Sequence, residues 1–278
     1  MKQMEILKQF DTEKRIIELL KNLETMSLSL ESGKNSITLS NIEWVSPISL
    51  LPIVAFGHEN KIDPIYDGKA IDVKNYLERI FFPLGTTHEF PAEDKDFLPI
   101  TRLPCNKETP ILDAYEDRIL SNVHEDHRAS FSNALKTLTS ELHTNVNEHA
   151  KTTHYWLFSQ YWKKTQTCEI AIADTGIGFK ESYKGTDYEV STHKEAIENV
   201  MCGKSRKYED EGRGWGIRTI IKIFTSGYGG EVILMSGDSL AHINNKSLNW
   251  HLCPKPWKGA FVGVRFKIRD IPVQDYYR

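Results

Sequence analysis

The 278-residue sequence has few cysteines and no long apolar run, and each absence excludes a class of protein. Its four cysteines stand far apart without a Cys-x-x-Cys pair, so there is no sign of a disulfide framework or of a paired-cysteine metal motif. No hydrophobic stretch approaches the ~20 residues that a transmembrane helix needs. We therefore expect a cytoplasmic protein with reduced thiols and no membrane partner.

Net charge is also small. Lysine and arginine number 35 against 38 aspartates and glutamates, which gives a formal net charge of -3. This balance provides no bulk attraction to nucleic acid, so partners must be inferred from sites. Hydrophobic residues make up 40% of the chain, which is enough to bury a substantial core.

The N-terminal third combines helical and strand-like patterns. "TEKRIIELLKNLETM" predicts an amphipathic helix, and "SITLSNIEWV" before "SPISLLPIVAF" predicts a strand that leads into a helix. Ser46 and Pro47 suit the start of that second helix, as a cap and a first-turn proline. A short strand in "KIDPIYD" and a helix in "AIDVKNYLERIFF" complete a small α/β unit.

A proline-rich segment follows this unit. Five prolines and the charged run "AEDKD" fall between Pro83 and Pro110, which is typical of a linker or a bridging strand. We place the domain boundary there, with residues 1–100 in the first domain and residues 101–278 in the second.

The second part predicts a long helix and a sheet. Apolar residues recur every three or four positions from Phe131 to Val146. Strand-like runs, "HYWLFSQYW", "TCEIAIAD", "EVILMSG" and "AFVGVRFKI", surround a glycine-punctuated region and a helix, "GIRTIIKIF". The expected fold is α/β, with helices on one face of a mixed sheet.

Polar residues form a stripe on the long helix. At 100° per residue, Glu141, Asn145, Glu148 and His149 share a narrow arc beside the apolar face. Taken alone, such an arc is more often a solvated edge than a site.

Two glycine clusters follow this helix. In "ADTGIGF", Asp174 ends an apolar strand just before Gly176 and Gly178, which allow the backbone to turn and approach a ligand closely. "GRGWGI", residues 212–217, spaces three glycines directly before a helix, where backbone N–H groups favour an anion. Neither the dinucleotide fingerprint nor the P-loop fits the sequence around the glycines.

The ordered trio of motifs resembles the GHKL superfamily of ATP-binding domains, also called histidine-kinase-like or Bergerat-fold ATPases. "SELHTNVNEHA" looks like the family's N box, "DTGIGF" like its G1 box and "GRGWGI" like its G2 box. The resemblance spans roughly residues 120–270, and the Glu-x3-Asn-x3-His-Ala form is especially similar to the anti-sigma-factor serine kinases. It implies an α/β sandwich that binds ATP and Mg²⁺.

The resemblance assigns roles to the motifs. Glu141 would be catalytic and would orient or deprotonate the attacking water or hydroxyl, and Asn145 would coordinate Mg²⁺. Asp174 would accept a hydrogen bond from the adenine amino group. Residues 183–211 would form a mobile lid over ATP, in which the run from Lys204 to Arg206 fits a solvated basic loop equally well. The further nucleotide contacts expected are Glu148, His149, Gly176, Gly178, Lys204, Ser205, Arg206, Gly212, Gly214, Trp215, Gly216 and Ile217.

One position departs from the family pattern. The family usually opens its last strand with a Gly-Thr pair, whereas this sequence has Gly259 and Ala260. The lost hydroxyl contact would cost about 1 kcal/mol unless Thr175 or a water molecule replaces it.

The first domain loosely resembles a STAS-like module, the type of small domain that partners anti-sigma kinases. In such partners a serine at a strand-to-helix turn is phosphorylated, and the corresponding position here is Pro47, flanked by Ser46 and Ser49. We favour helix capping over phosphorylation for both serines. The pairing of the two domains gives the impression of a bacterial regulatory or defence protein.

Three functions are open at this point. The leading hypothesis is a regulatory switch that binds ATP and Mg²⁺ and hydrolyses ATP slowly. The alternatives are a serine/threonine kinase of the anti-sigma type and a nucleotide-gated interaction module without turnover. We expect a regulatory protein as partner, and a homodimer stays open.

Overall fold

The computed structural model describes residues 12–39, 45–87, 96–105, 123–204 and 216–276, with a few positions between 113 and 121. In these ranges no helix is long and apolar enough to cross a membrane. The elements in chain order are α1 (Thr12–Glu31), β1 (Ser36–Thr38), α2 (Pro47–Asn60), β2 (Asp63–Ile65), α3 (Ile71–Arg79), β3 (Phe97–Pro104), α4 (Glu125–Asn145), β4 (His154–Trp162), β5 (Thr167–Asp174), α5 (Gly178–Ser182), α6 (His193–Met201), α7 (Gly216–Ile221), β6 (Glu231–Asn244) and β7 (Leu248–Lys267).

A five-stranded sheet organises the described part of the chain. Its strand order is β3-β4-β5-β7-β6, and each neighbouring pair is antiparallel. The fold is therefore α/β, as predicted, but the expectation of a mixed sheet is wrong. Hairpins connect β4 to β5 and β6 to β7, and direct connections of this kind produce antiparallel neighbours.

The face of the sheet that we call the front face is covered by α4 and α7. Leu138 of α4, Ile220 of α7 and Ile170 of β5 belong to one buried core. The apolar spacing predicted a long helix here, and α4 confirms it. The turn that follows α4 contacts the loop that follows β5, where Ile177 N–H donates to the carbonyl oxygen of Ala150 at 2.8 Å.

The opposite face, which we call the rear face, is covered by α1 and α2. Ile16 of α1 and Ile48 of α2 pack in a second core with Trp156 and Phe158 of β4. The helices of the second part, α4, α6 and α7, thus share one face, as expected, and the first part supplies the helices on the other face. Every residue of β5 is buried, because its side chains alternate between the two cores, and neither face could be left to water.

The predicted domain boundary at residue 100 falls inside β3. Phe97 of this strand pairs with Gln160 of β4, and Pro104 pairs with His154. The proline-rich segment thus contributes a strand to the central sheet. The rear core in turn contains side chains from both of the predicted domains.

A buried ionic network attaches α1 to the sheet. Glu169 of β5 is fully buried and forms ion pairs with Arg15 of α1 and with Arg265 of β7, the latter at 3.5 Å. Arg265 also donates to Thr12 Oγ1 at 3.3 Å. A buried carboxylate is costly unless it is paired, so the two guanidinium groups make this position tolerable.

The first α/β unit contains a small parallel strand pair. β1 pairs with β2, and α2 connects them. Ser46 is the N-cap residue of α2, and its backbone N–H donates to Ser49 Oγ at 3.2 Å. Both serines are buried, at 0% and 7% exposure. The capping role is thereby confirmed, whereas the STAS resemblance stays a prediction.

Candidate functional site

Helix α4 and the start of α7 meet at Glu141. The backbone N–H of Gly216, at the start of α7, donates to Glu141 Oε2 at 3.1 Å. Burial raises the pKa of Glu141, and the nearby Glu148 carboxylate raises it further, although the hydrogen bond from Gly216 opposes both. The net result is a half-buried carboxyl with a raised pKa, and a raised pKa makes its carboxylate a stronger base than an exposed one.

The polar stripe on this helix is not a single α-helical arc. α4 ends at Asn145, and the chain continues as a π-helical turn over Val146–Ala150. His149 Nε2 lies 3.9 Å from Glu148 Oε2 within this wider turn. The spacing of 100° per residue therefore applies to Glu141 and Asn145 but not to the two residues that follow.

Asn145 carries an unused polar atom. Its Nδ2 is buried and has no hydrogen-bond partner in the part of the chain that the structure describes. Buried polar atoms are nearly always satisfied, so Asn145 Nδ2 has a donor to offer to an acceptor outside the described residues. Its position one helical turn after Glu141 brings both side chains to the same side of α4.

Asp174 lies at the end of β5 in a cradle of backbone donors. Gly176 N–H donates to its Oδ1 at 2.9 Å, and the backbone N–H of Ala260 also donates to the carboxylate. Burial raises the pKa of Asp174 to about 6 in spite of these two hydrogen bonds. Because a carboxylate has about four lone-pair sites, it can still accept from a further donor.

Glycine is required where two segments pass this cradle. A Cβ at Gly259 would lie 2.1 Å from the carbonyl oxygen of Asp174 and 2.8 Å from its Oδ1, and Gly259 has φ +102°. A Cβ at Gly176 would lie 1.9 Å from the carbonyl oxygen of Ala150. The sequence identified Gly176 by its spacing, but Gly259 only as part of a family pair.

Ser236 is a site residue that the sequence analysis missed. Its buried Oγ accepts from Phe179 N–H at 3.1 Å and donates to the carbonyl oxygen of Gly259 at 2.8 Å. Ser236 thus links the residue after Gly178 to Gly259 of β7. A Cβ at Gly178 would lie only 2.6 Å from the Ser236 hydroxyl oxygen. The available signal was a serine among the apolar residues of "EVILMSG". Because its hydroxyl is engaged, Ser236 does not replace the hydroxyl missing at Ala260.

The first part of the predicted lid is a packed helix. Thr192 caps α6 by accepting from Glu195 N–H at 3.1 Å, and Ala196 and Ile197 are buried beneath it. The predicted lid therefore contains a helix that packs on the front core through Ile197. Ser205, Arg206, Gly212, Gly214 and Trp215 lie outside the described residues, and their contacts stay predictions.

The remaining predicted residues differ in exposure. Glu148 is exposed, and His149 is half-buried beside it. The side chain of Ile217 is buried in the front core, so only its backbone could serve a ligand. In the described part of the chain, no group of three or more histidines, cysteines, aspartates or glutamates could hold a metal ion. A cation at Asn145 would therefore depend on phosphates and waters for other ligands, which is the usual situation of Mg²⁺.

An open cleft of about 450 Å³ lies beside the "DTGIGF" loop and includes Gly176 but not Asp174. It is lined by residues 151–154 and 175–177, with Glu59, Glu181 and Lys258 at its border. Neither Glu141 nor Asn145 lines it. We therefore assign the site to the contacts of Glu141 and Asp174 rather than to this cleft.

Comparisons with protein-family models, with curated proteins and with solved structures return no match to this chain. The interpretation of the site therefore rests on its own residues and geometry.

Proposed function

We propose that this protein binds ATP with Mg²⁺ at the front edge of the sheet and hydrolyses it slowly, as a GHKL-type ATPase domain that acts as a regulatory switch. The hydrogen bond between Glu141 and Gly216 carries the proposal. It brings the candidate general base together with the last amide of a glycine run that is suited to phosphate. Asn145, whose amide nitrogen has no hydrogen-bond partner among the described residues, lies one turn further along the same helix.

Asp174 supports adenine as the base. Its carboxylate is nearly fully buried and keeps capacity for another donor. The exocyclic amino group of adenine is such a donor, whereas guanine presents a carbonyl oxygen at the same position. An acceptor held by backbone donors therefore favours ATP over GTP.

Asn145 fits the role of a magnesium ligand. Its amide oxygen is the hard ligand that Mg²⁺ prefers, and when bound the ion neutralises charge on the β- and γ-phosphates. The residues of the chain would then orient the attacking water. A phosphate oxygen that accepts the Gly216 N–H would release Glu141 Oε2, and the raised pKa of Glu141 suits it to take a proton from that water.

The burial of Ser46 and Ser49 bears on the kinase alternative. Both lie at the start of α2 in the rear layer, whereas Glu141 lies on the front helix α4. Phosphate transfer to either serine within the same chain would require α2 to leave the sheet. A kinase would therefore not use Ser46 or Ser49 of its own folded chain as the acceptor.

Incubation with ATP labelled at the γ-phosphate tests the proposal. Wild-type protein with Mg²⁺ should release free phosphate, and Glu141→Gln should not. Glu24→Gln, the same change at an exposed position of α1, serves as the control and should behave as wild type. Label on a protein would indicate a kinase, and ATP binding without release would indicate an interaction module. Absence of ATP binding in isothermal titration calorimetry would refute the proposal.

A further inference from the structure

The pairing of β6 with β7 is irregular beside Asp174. Between the pair that Met235 forms with Phe261 and the next pair along, β6 contributes Ser236 alone and β7 contributes residues 258–260. A bulge of this kind takes backbone groups out of the ladder and changes their direction, and bulges are frequent next to functional sites. The peptide groups of residues 258–260 are therefore available for contacts other than those of the sheet.

The hydroxyl of Ser236 has a fixed direction in this bulge. It accepts from the backbone N–H of Phe179 at 3.1 Å and donates to the carbonyl oxygen of Gly259 at 2.8 Å. Because an N–H group only donates and a carbonyl oxygen only accepts, the hydroxyl hydrogen must lie on the side of Gly259. Ser236 is 1% exposed, so loss of the hydroxyl would leave two backbone groups without a partner in a buried place.

The peptide unit between Gly259 and Ala260 connects this hydroxyl to Asp174. Its bond is trans, and the C=O and N–H groups of a trans peptide point in opposite directions. Ser236 holds the carbonyl oxygen on one side, and on the other side the N–H of Ala260 donates to the Asp174 carboxylate. The hydrogen bonds thus run in one direction, from Phe179 N–H through the Ser236 hydroxyl to the carboxylate, and the bonds of such a chain strengthen one another.

We propose that Ser236 is a positioning residue that orients the 259–260 peptide on Asp174 and thereby sets the preference of the site for a ligand that presents an N–H group to this carboxylate. The inference deepens the function proposed above and rests on it for the identity of the ligand. Because the N–H groups of Gly176 and Ala260 both donate to it, Asp174 is held as an acceptor rather than as a protonated donor. The amino group of adenine meets this requirement, whereas the carbonyl group of hypoxanthine at the same ring position does not.

A ¹³C NMR titration of the Asp174 carboxyl tests the positioning without any nucleotide. A weaker hydrogen bond from Ala260 favours the protonated form, so the pKa of Asp174 in Ser236→Ala should lie above the wild-type value of about 6. Ser236→Cys keeps a weak donor in a side chain of similar size, and it should give an intermediate pKa. Asp174→Asn identifies the resonance.

Titration calorimetry with magnesium ATP and with magnesium inosine triphosphate tests the selectivity. The base of the second nucleotide carries a carbonyl group in place of the adenine amino group. Ser236→Ala should reduce the preference for ATP about threefold or more, because only ATP donates to Asp174. A serine with a purely structural role would instead weaken the binding of both nucleotides equally.

Ser239→Ala provides the matched control. Ser239 is a second buried serine of β6, and its hydroxyl donates to Asp238. Its loss should change neither the pKa of Asp174 nor the preference for ATP. If Ser236→Ala does not fold, as judged by circular dichroism, Ser236→Cys decides both measurements.

Either of two results with the Ser236 variants would overturn the inference: an unchanged pKa of Asp174, or equal weakening of both nucleotides. If the wild type binds neither nucleotide, the proposed function fails and the selectivity fails with it. The NMR titration then still decides whether Ser236 positions Asp174.

Discussion

The backbone N–H of Gly216 donates to Glu141 Oε2 at 3.1 Å, across 75 positions of sequence. This hydrogen bond joins the helix that carries the candidate base to the first residue of α7. The same N–H is one that a phosphate would accept, so the carboxylate and the ligand compete for it. Nucleotide binding would therefore be linked to release of the base.

We expect Asn145→Ala to abolish magnesium-dependent ATP binding without destabilising the fold. The substitution removes the proposed metal ligand together with a buried Nδ2 that has no partner among the described residues. Loss of an unsatisfied buried atom should leave the free energy of unfolding unchanged or raise it by up to about 1 kcal/mol. Titration calorimetry and urea unfolding measure the two effects. The matched control is Asn133→Ala at an exposed position of the same helix, which should retain binding. A large loss of stability in Asn145→Ala would indicate a purely structural residue.

Asp174 should make stability and ATP binding depend on pH in opposite directions. Its pKa rises from 3.8 to about 6 on folding, so its favourable contribution is complete below pH 3.8 and is lost as pH rises through 6. A shift of about two units corresponds to roughly 3 kcal/mol between the two limits. ATP binding should instead weaken below pH 6, because a protonated carboxyl no longer offers its full acceptor capacity to the adenine amino group.

The comparison of wild type with Asp174→Asn isolates this effect from other titrating groups. Urea unfolding at pH 5 and pH 7 should show a difference in the wild type that is smaller in the variant. Titrations with ATP at the same two pH values should favour pH 7. Equal ATP affinity at both would contradict the role of Asp174 in recognition of the base.

Local patterns in the sequence predict helices and strands well where one element decides the outcome. The apolar spacing from Phe131 to Val146 is a property of a single helix, and α4 confirms the prediction. No spacing of apolar residues predicts the π-helical turn after Asn145. The sequence analysis therefore placed Glu148 and His149 on the same α-helical arc as Glu141, which is wrong. The sequence motifs also contain no information on which amide Glu141 contacts.

The sequence analysis did not predict the contacts between distant parts of the chain. Five of the six inner positions of "TCEIAIAD" are apolar, and burial on both faces could have been inferred from that run. The one charged residue inside it, Glu169, is paired with Arg15, 154 positions earlier, and no local pattern links them. The rear helices were assigned to a separate unit for this reason.

We expect Gly259→Ala to destabilise the fold strongly and to abolish ATP binding. An added Cβ would collide with the backbone and the carboxylate of Asp174, so the cost should exceed about 2 kcal/mol. Gly185→Ala is the matched control, because Gly185 also has positive φ but open space around its Cα. That control should cost about 1 kcal/mol from backbone strain alone. Urea unfolding measures both, and equal costs would show that contact with Asp174 is unimportant.

His242 should stabilise the attachment of α1 more strongly in mild acid than in mild base. Its Nδ1 lies 3.2 Å from Glu13 of α1 and its Nε2 lies 3.6 Å from Glu231. Burial lowers the pKa of His242, but hydrogen bonds and charge interactions with Glu231 and Glu13 outweigh burial and raise it. A raised pKa means that the stabilisation is complete below pH 6.5 and is lost as pH rises through the folded-state value. His242→Gln should therefore cost about 1 to 2 kcal/mol at pH 6 and less at pH 8.5.

Hydrogen exchange of α1 and urea unfolding at the two pH values measure this difference. Glu13→Gln removes one carboxylate partner of His242 and should reduce the pH dependence. The exposed histidine His124, which lies 3.3 Å from Asp126, offers the control, because His124→Gln should change stability little at either pH. If His242→Gln costs the same at pH 6 and pH 8.5, then packing rather than charge holds α1 at this position.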